Sequence, residues 1–152
     1  MNNKLLIIFV FLVIILVEFK YAFAYEMKSD GIVFKLKQQK ETDPRLLKIQ
    51  ICSDEIIHVI ASPVDSFLSR ASLMVNKTNW EPVNWSIKEE GSIVKISTSK
   101  ITVAVDSISG KIEFFDKDNN LLVNEKNGGE KIITPAEVMG EQTYHIQQLF
   151  KP

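Results

Sequence analysis

The sequence predicts an all-β protein, and more specifically an antiparallel β-sandwich. Several short segments alternate apolar and polar side chains with a period of two, are rich in β-branched residues, and are separated by polar or glycine-containing turns. A period of two places one face of a strand on a core and the other face in water. Because about seven such segments follow one another in a single chain, a sandwich is favoured.

The predicted strands begin with residues 31–37, which place Ile, Phe and Leu on one face and lysines on the other. Residues 46–52 alternate in the same way. Residues 56–61 are apolar on both faces apart from His58, which indicates a central strand. The remaining predicted strands are residues 94–98, 101–105, 112–114 and 121–123.

Short polar segments join these strands, at residues 53–55, 106–110 and 116–120. Gly110 can take the left-handed conformation that a hairpin often needs, and the Asn and Asp residues of the third segment tolerate tight turns. Residues 124–131 contain Gly-Gly and are predicted to form a loop. Residues 66–75 depart from the pattern, because their apolar side chains follow a helical spacing that predicts a short helix.

The N-terminal segment, residues 1–24, has the features of a signal peptide. Lys4 precedes an unbroken apolar run from Leu5 to Val17, and Ala22–Ala24 is an A-x-A cleavage site. The run is shorter than the roughly 20 residues of a membrane span, so cleavage between Ala24 and Tyr25 is predicted over an uncleaved anchor. The protein would then be exported, to the periplasm or the extracellular space, with residues 25–152 as one domain and no membrane attachment.

Composition excludes several classes of function. The net charge is −1, from 18 Lys and Arg and 19 Asp and Glu, so no electrostatic case exists for binding nucleic acid or an anionic membrane. One Cys and two His predict neither a disulfide framework nor a metal site. The sequence has no recognisable catalytic or cofactor motif, so no catalytic residue and no cofactor is predicted.

Two other patterns are given structural interpretations. Cys52 lies on a predicted strand, where a buried small side chain is favoured over a catalytic thiol that would need a nearby base. Asp116, Asp118 and Asn120 have the spacing of a calcium loop. Its sixth and twelfth positions are Leu121 and Asn127 instead of Gly and Glu, so a hairpin turn is favoured.

Trp80 and Trp85 form the one candidate binding pattern. They lie close together in the segment NWEPVNW, residues 79–85. Aromatic rings stack on the apolar faces of sugars, so an exposed pair would suit a carbohydrate. The alternative is that one or both rings anchor the edge of a strand in the core, as Trp side chains commonly do.

Seven stretches in order resemble the N-terminal domain of glycoside hydrolase family 31, in particular exported bacterial α-xylosidases and α-glucosidases. The resemblance covers nearly all of residues 25–152, and its last stretch is the most specific. The stretches are residues 30–34, 45–54, 56–63, 72–75, 96–105, 110–116 and 140–150.

The resemblance implies a β-sandwich of the galactose-mutarotase-like kind that packs against a catalytic (β/α)8 barrel and helps to shape its substrate pocket. The barrel of that family carries two aspartates of a retaining mechanism, which needs carboxyl groups about 5 Å apart. No residue here matches either position. Since a barrel needs about 250 residues, this chain is expected to be inactive alone.

Three functions therefore compete. The first is the non-catalytic N-terminal domain of a family 31 α-glycosidase, bound to its barrel in cis or in trans. The second is a free-standing exported domain that binds carbohydrate or acts as a scaffold. The third is an unrelated exported β-domain that contacts other proteins. The first is preferred, and it predicts an apolar surface left exposed where the barrel would sit.

Overall fold

A computed structural model of the chain describes residues 25–68, 77, 79–127 and 131–151. The described residues contain strands and no helix. In chain order the strands are β1 (Tyr25–Lys28), β2 (Gly31–Lys35), β3 (Leu46–Ile51), β4 (Ile57–Ser62), β5 (Ser86–Glu90), β6 (Ile93–Ser97), β7 (Ile101–Asp106), β8 (Ile112–Asp116), β9 (Leu121–Glu125), β10 (Ile132–Val138), β11 (Glu141–Gln147) and β12 (Phe150–Lys151).

All strand pairs are antiparallel, and they form three sheets. The first sheet has the order β1-β2-β3-β4, and the second has the order β12-β9-β8-β7-β6-β5. Strands β10 and β11 form a separate hairpin. Neighbours along the chain are mostly neighbours in a sheet, which agrees with the short polar connections that the sequence contains.

The core lies between the two larger sheets. Alternate apolar side chains of β2 and β3 face those of β6, β7 and β8, and together they form one buried cluster. Phe34 and Leu47 on the first sheet and Val94 and Val103 on the second are completely buried. This face-to-face packing of two antiparallel sheets is a β-sandwich, so the predicted fold class is confirmed.

The predicted turns are also confirmed. Strands β3 and β4 are joined across residues 53–55, and Gly110 has a φ of 74° in the turn between β7 and β8. In the turn between β8 and β9, Asp116 Oδ1 accepts hydrogen bonds from the backbone N–H groups of Asp118 and Asn120, at 2.9 and 2.8 Å. Asn119 supplies the left-handed residue of this turn, with a φ of 64°.

Three expectations differ from the structure. Strand β4 lies at the edge of its sheet in the described part of the chain, so the prediction of a central strand was wrong. Four of its six side chains are partly buried, His58 is exposed and Ser62 is buried. The predicted loop 124–131 begins later, because Asn124 and Glu125 complete β9. Of the predicted helix 66–75, residues 66–68 are not helical and residues 69–75 lie outside the described residues.

Strands β1, β5, β10, β11 and β12 had no counterpart in the prediction. Their mostly exposed side chains give no clear alternation, and Pro135 lies within β10, where a proline argues against a strand, so a periodic signal is missing. Among the described residues, no helical segment has the length and apolar character needed to cross a bilayer.

Candidate functional site

The segment that carries both tryptophans lies against one end of the sandwich. Val83 and Trp85 are partly buried and pack against the core cluster. The Nζ atom of Lys77 lies 4.4 Å from the centre of the Trp80 ring, which is a cation–π contact. Trp80 is also partly buried. The core therefore anchors Trp85, and a cation contacts Trp80 on one face of its ring.

Both rings line one groove, which we call the tryptophan groove. Its volume is about 550 Å³, within the range of ligand-binding pockets in proteins. Polar side chains complete the lining, and they are Ser29, Asp30, Gln50, Asn79 and Glu81. The structure thus brings the two predicted side chains together and adds Asp30 and Gln50, which lie far from the tryptophans in the sequence.

A hydrogen-bond network fixes Asp30 at the edge of the tryptophan groove. Its Oδ2 atom accepts from Lys48 Nζ and from Gln50 Nε2, both at 2.9 Å. Gln50 Oε1 lies 3.2 Å from His58 Nδ1. Burial raises the pKa of Asp30, but the hydrogen bond and charge of Lys48 outweigh burial, so that the pKa falls below its usual value. Asp30 is therefore ionised at neutral pH.

The tryptophan groove lies at the end of the sandwich where β7 begins. Asp30 lies beside the end of β3, because the N–H of Ile51 donates to Asp30 O at 2.8 Å. The turn after β3 contacts the turn before β7, because Thr98 Oγ1 donates to Asp54 O at 2.7 Å. Gly110 follows the other end of β7. Since β7 has six residues, the two ends are about 20 Å apart.

A buried ion pair, which the sequence did not indicate, lies at the Gly110 end. Lys131 Nζ is 2.7 and 2.9 Å from the two carboxylate oxygens of Glu125, and neither side chain is more than 4 % exposed. Glu125 Oε2 also accepts from the backbone N–H of Ile112 at 2.7 Å, and Gln148 donates to Oε1. Lys131 Nζ donates to Gly110 O at 3.0 Å.

This pair is a structural feature, because both charges are already neutralised and surrounded by protein groups. It connects β9, the start of β10 and the segment that leads into β12. Residues 124–131 contain charges of both signs, which suit an exposed loop and did not indicate a buried pair. The sequence signal that could have indicated it is the continuation of β9 beyond Val123, which places Glu125 in a strand.

The hairpin of β10 and β11 has one predominantly apolar face, which we call the hairpin face. On this face, Ile133 lies opposite Ile146 and Pro135 lies opposite Tyr144. Ile133 is buried at the base, whereas Ile146 is 64 % exposed and Tyr144 is 41 % exposed. A cavity of about 1080 Å³, lined in part by Leu68, Pro135 and Tyr144, lies on the hairpin.

The remaining candidate groups are the cysteine and the two histidines. Cys52 is buried, and burial raises the pKa of its thiol, so the thiolate needed for nucleophilic chemistry is disfavoured. His58 is an exposed side chain on the edge strand β4, and His145 is exposed on β11. The described residues contain no group of three or more His, Cys, Asp or Glu side chains placed to hold a metal ion.

The predicted signal cleavage falls at the border of the described residues. Ala24 lies outside them, whereas Tyr25 is the first residue of β1. The Tyr25 hydroxyl donates to Glu89, and this hydrogen bond raises the pKa of the phenol. The Tyr25 ring lies 5.6 Å from that of Phe34. Cleavage between Ala24 and Tyr25 stays a prediction.

Comparison with known proteins gives one family. The profile of the family described as glycosyl hydrolase 31 N-terminal galactose mutarotase-like domain matches residues 46–147. The structure of a GH31 α-xylosidase from Xanthomonas citri matches with a TM-score of 0.73 and 24 % identity, over 84 % of this chain and 13 % of that chain.

A second match is a GH31 dextranase from Flavobacterium johnsoniae, whose structures include complexes with isomaltotriose and with glucose. The TM-score is 0.55 and the identity 26 %, over 74 % of this chain and 14 % of that chain. These matches agree with the galactose-mutarotase-like sandwich that the family resemblance implied. The chain spans only a small part of the length of the enzymes that it matches.

Proposed function

Because the chain belongs to the glycosyl hydrolase 31 N-terminal galactose mutarotase-like domain family, we propose that it is the non-catalytic sandwich of a family 31 α-glycosidase. In this role it packs against a (β/α)8 barrel, in cis or in trans, and helps to shape the pocket. The substrates would be α-xylosides or α-glucosides, in line with the α-xylosidase and dextranase that the chain resembles in fold. The sandwich alone would be inactive.

The hairpin face is the observation that supports this function most directly. A two-stranded hairpin is marginally stable in water by itself, and β10 and β11 pair with no other described strand. All seven residues of β11 are exposed, although Tyr144 and Ile146 are large apolar side chains. Such a surface is typical of an interface from which the partner is missing.

Polar anchoring at the base of the hairpin is consistent with a docking role. The N–H of Ile133 donates to Thr42 O at 2.8 Å, and the buried pair of Glu125 and Lys131 lies just before β10. The base of the hairpin is therefore fixed to the sandwich, while the hairpin face stays exposed. A fixed apolar face loses little conformational entropy when it binds a second domain.

The decisive experiment measures complex formation with a catalytic barrel. The full chain is mixed with barrels of family 31 α-xylosidases and α-glucosidases that lack their own N-terminal domains, and the mixture is examined by size-exclusion chromatography. We expect a complex, and we expect Ile146→Glu to abolish it by placing a charge in an apolar interface. Ile56→Glu is the matched control, because Ile56 is 48 % exposed at the opposite end of the sandwich.

Two binding results would contradict this function. One is the absence of a complex with every barrel tried, and the other is equal loss of binding in both variants. Release of sugar from aryl α-xylosides or α-glucosides by the chain alone would show that the domain is itself catalytic.

A free-standing exported domain that binds carbohydrate or acts as a scaffold is the second candidate function. The tryptophan groove favours it, because its ring pair and polar lining need no barrel to form. A purified chain that binds sugar and never binds a barrel would support this alternative over the first.

We also propose that the protein is exported by a bacterium and cleaved between Ala24 and Tyr25. The apolar run and the A-x-A site support cleavage. The hydrogen bond of the Tyr25 side chain to Glu89 and its ring contact with Phe34 would secure the new terminus. N-terminal sequencing of protein from the periplasm or medium should begin at Tyr25, and a sequence that begins at Met1 would contradict the proposal.

A further inference from the structure

We propose that the tryptophan groove is a binding site for neutral pyranose units of a polysaccharide, separate from the surface that docks on a barrel. Trp80 and Trp85 would supply the stacking surfaces. Asp30, Gln50 and Glu81 would hydrogen-bond the sugar hydroxyls. The inference holds for either function proposed above, because the site is formed by the sandwich itself.

Both rings have neighbours before any ligand arrives. Trp85 packs against the core, and the ammonium group of Lys77 lies 4.4 Å from the centre of the Trp80 ring. Lys77 occupies one face of the Trp80 ring, so a sugar would stack on the other face. Because the core already orders Trp85, this side chain would lose little conformational freedom on binding.

The polar groups of the groove match the hydroxyl groups of a sugar. Lys48 and Gln50 both donate to Oδ2 of Asp30, at 2.9 Å, which leaves Oδ1 as an acceptor within the described part of the site. The Gln50 amide and the exposed Glu81 carboxylate lie on the same lining. A hydrogen bond from a sugar hydroxyl to an ionised carboxylate is stronger than one between neutral groups.

Charge and shape select the class of sugar. The lining carries two carboxylates, and the ammonium groups of Lys48 and Lys77 lie beside Asp30 and Trp80, so no excess of positive charge would attract a uronic acid and the ligand should be uncharged. Glucose and xylose carry their ring hydroxyls equatorially and therefore present apolar C–H faces to an aromatic ring. The volume of about 550 Å³ leaves space for a short segment of such a chain.

The groove would stay open while a barrel is bound. The hairpin is anchored at the Gly110 end of the sandwich, whereas Asp30 and Trp80 lie at the other end of β7. The site could thus hold a polymer beside the enzyme without competing for the pocket. Binding there would raise the local concentration of substrate rather than change the chemical step.

Intrinsic fluorescence offers a direct test, because the chain contains only two Trp residues and both line the groove. The full chain is titrated with xyloglucan oligosaccharides and with dextran oligosaccharides while tryptophan emission is recorded. Polygalacturonate serves as the anionic comparison. We expect saturable changes with at least one neutral sugar and none with polygalacturonate.

Variants separate this site from the docking surface. Trp80→Ala should weaken binding about tenfold or more, as expected when a central aromatic contact is removed. Trp85→Phe retains an aromatic ring against the core, and it should weaken binding without unfolding the protein. Tyr144→Ala is the matched aromatic control on the hairpin face, and it should bind sugar as the unmodified chain does.

Three outcomes would overturn the inference. They are no response to either neutral sugar, equal affinity of Trp80→Ala and the unmodified chain, and tighter binding of polygalacturonate. If sugar binding fails while the complex with a barrel forms, the groove proposal falls and the docking function stands. If instead the barrel complex fails to form while sugar binding is intact, the docking function falls and the groove proposal stands.

Discussion

Replacing Lys131 by Met should destabilise the protein by about 3–4 kcal/mol. The substitution keeps the length and apolar stem of the side chain, but it removes the ammonium group that lies 2.7 and 2.9 Å from the Glu125 oxygens. Glu125 is completely buried, so the carboxylate would be left charged in the interior without its cation. Breaking a buried pair in this way typically costs about 3–5 kcal/mol.

One feature of the site places the expected loss in the lower part of that range. The N–H of Ile112 still donates to Glu125 at 2.7 Å, and Gln148 also donates to it, so the carboxylate keeps part of its solvation.

The assay is urea unfolding of the full chain at pH 7, supported by thermal melts. For a domain of this size, we expect the melting temperature at pH 7 to fall by about 12–16 °C. The double variant Lys131→Met with Glu125→Leu should recover most of the loss, because it leaves no unpaired charge. Lys88→Met is the control, since it breaks the exposed pair with Glu90 and should leave the midpoint almost unchanged.

A loss below about 1 kcal/mol for Lys131→Met at pH 7 would refute this reasoning. It would mean that the carboxylate is solvated in some other way. A double variant as unstable as Lys131→Met would also contradict it, because the unpaired charge on Glu125 would then not be the cause.

Two further predictions concern the sandwich core. Gly31→Ala should destabilise the protein by at least about 2 kcal/mol, because Gly31 has a φ of 145° and an added Cβ would lie 2.0 Å from the Ile49 carbonyl oxygen. Urea midpoints test this, with Gly91→Ala as a control that also has a positive φ but open space around it. Cys52 should react with iodoacetamide far more slowly in the folded chain than in urea, because burial disfavours its thiolate. Mass spectrometry measures both rates, and equal rates would contradict the buried position of Cys52.

The strands of the core could be predicted because their signal is local. In β2 and β3, apolar side chains at alternate positions face the same side of the backbone, so the pattern identifies both the strand and its buried face. Turn residues act locally as well. Asp116 accepts hydrogen bonds from residues only two and four positions further along the chain, which the turn composition anticipated.

The edge position of β4 shows the limit of this local signal. Apolar side chains on both faces indicated a central strand, but the number of partners that a strand has depends on which other segments reach it. The hairpin strands show the same limit in reverse. The β11 segment has no clear period of two. It pairs with β10 because a turn at Met139 and Gly140 joins the two strands and sets their register.

The sequence by itself determined the all-β class, the segments of the core and the turns between them, because these depend on backbone conformation and on the order of neighbouring side chains. Only the tertiary structure decided which distant groups meet. It placed Trp80 and Trp85 in one groove with Asp30, and it paired Glu125 with Lys131 in the interior. Contacts between residues that are far apart in the chain follow from the packing of sheets, and no local pattern in the sequence encodes that packing.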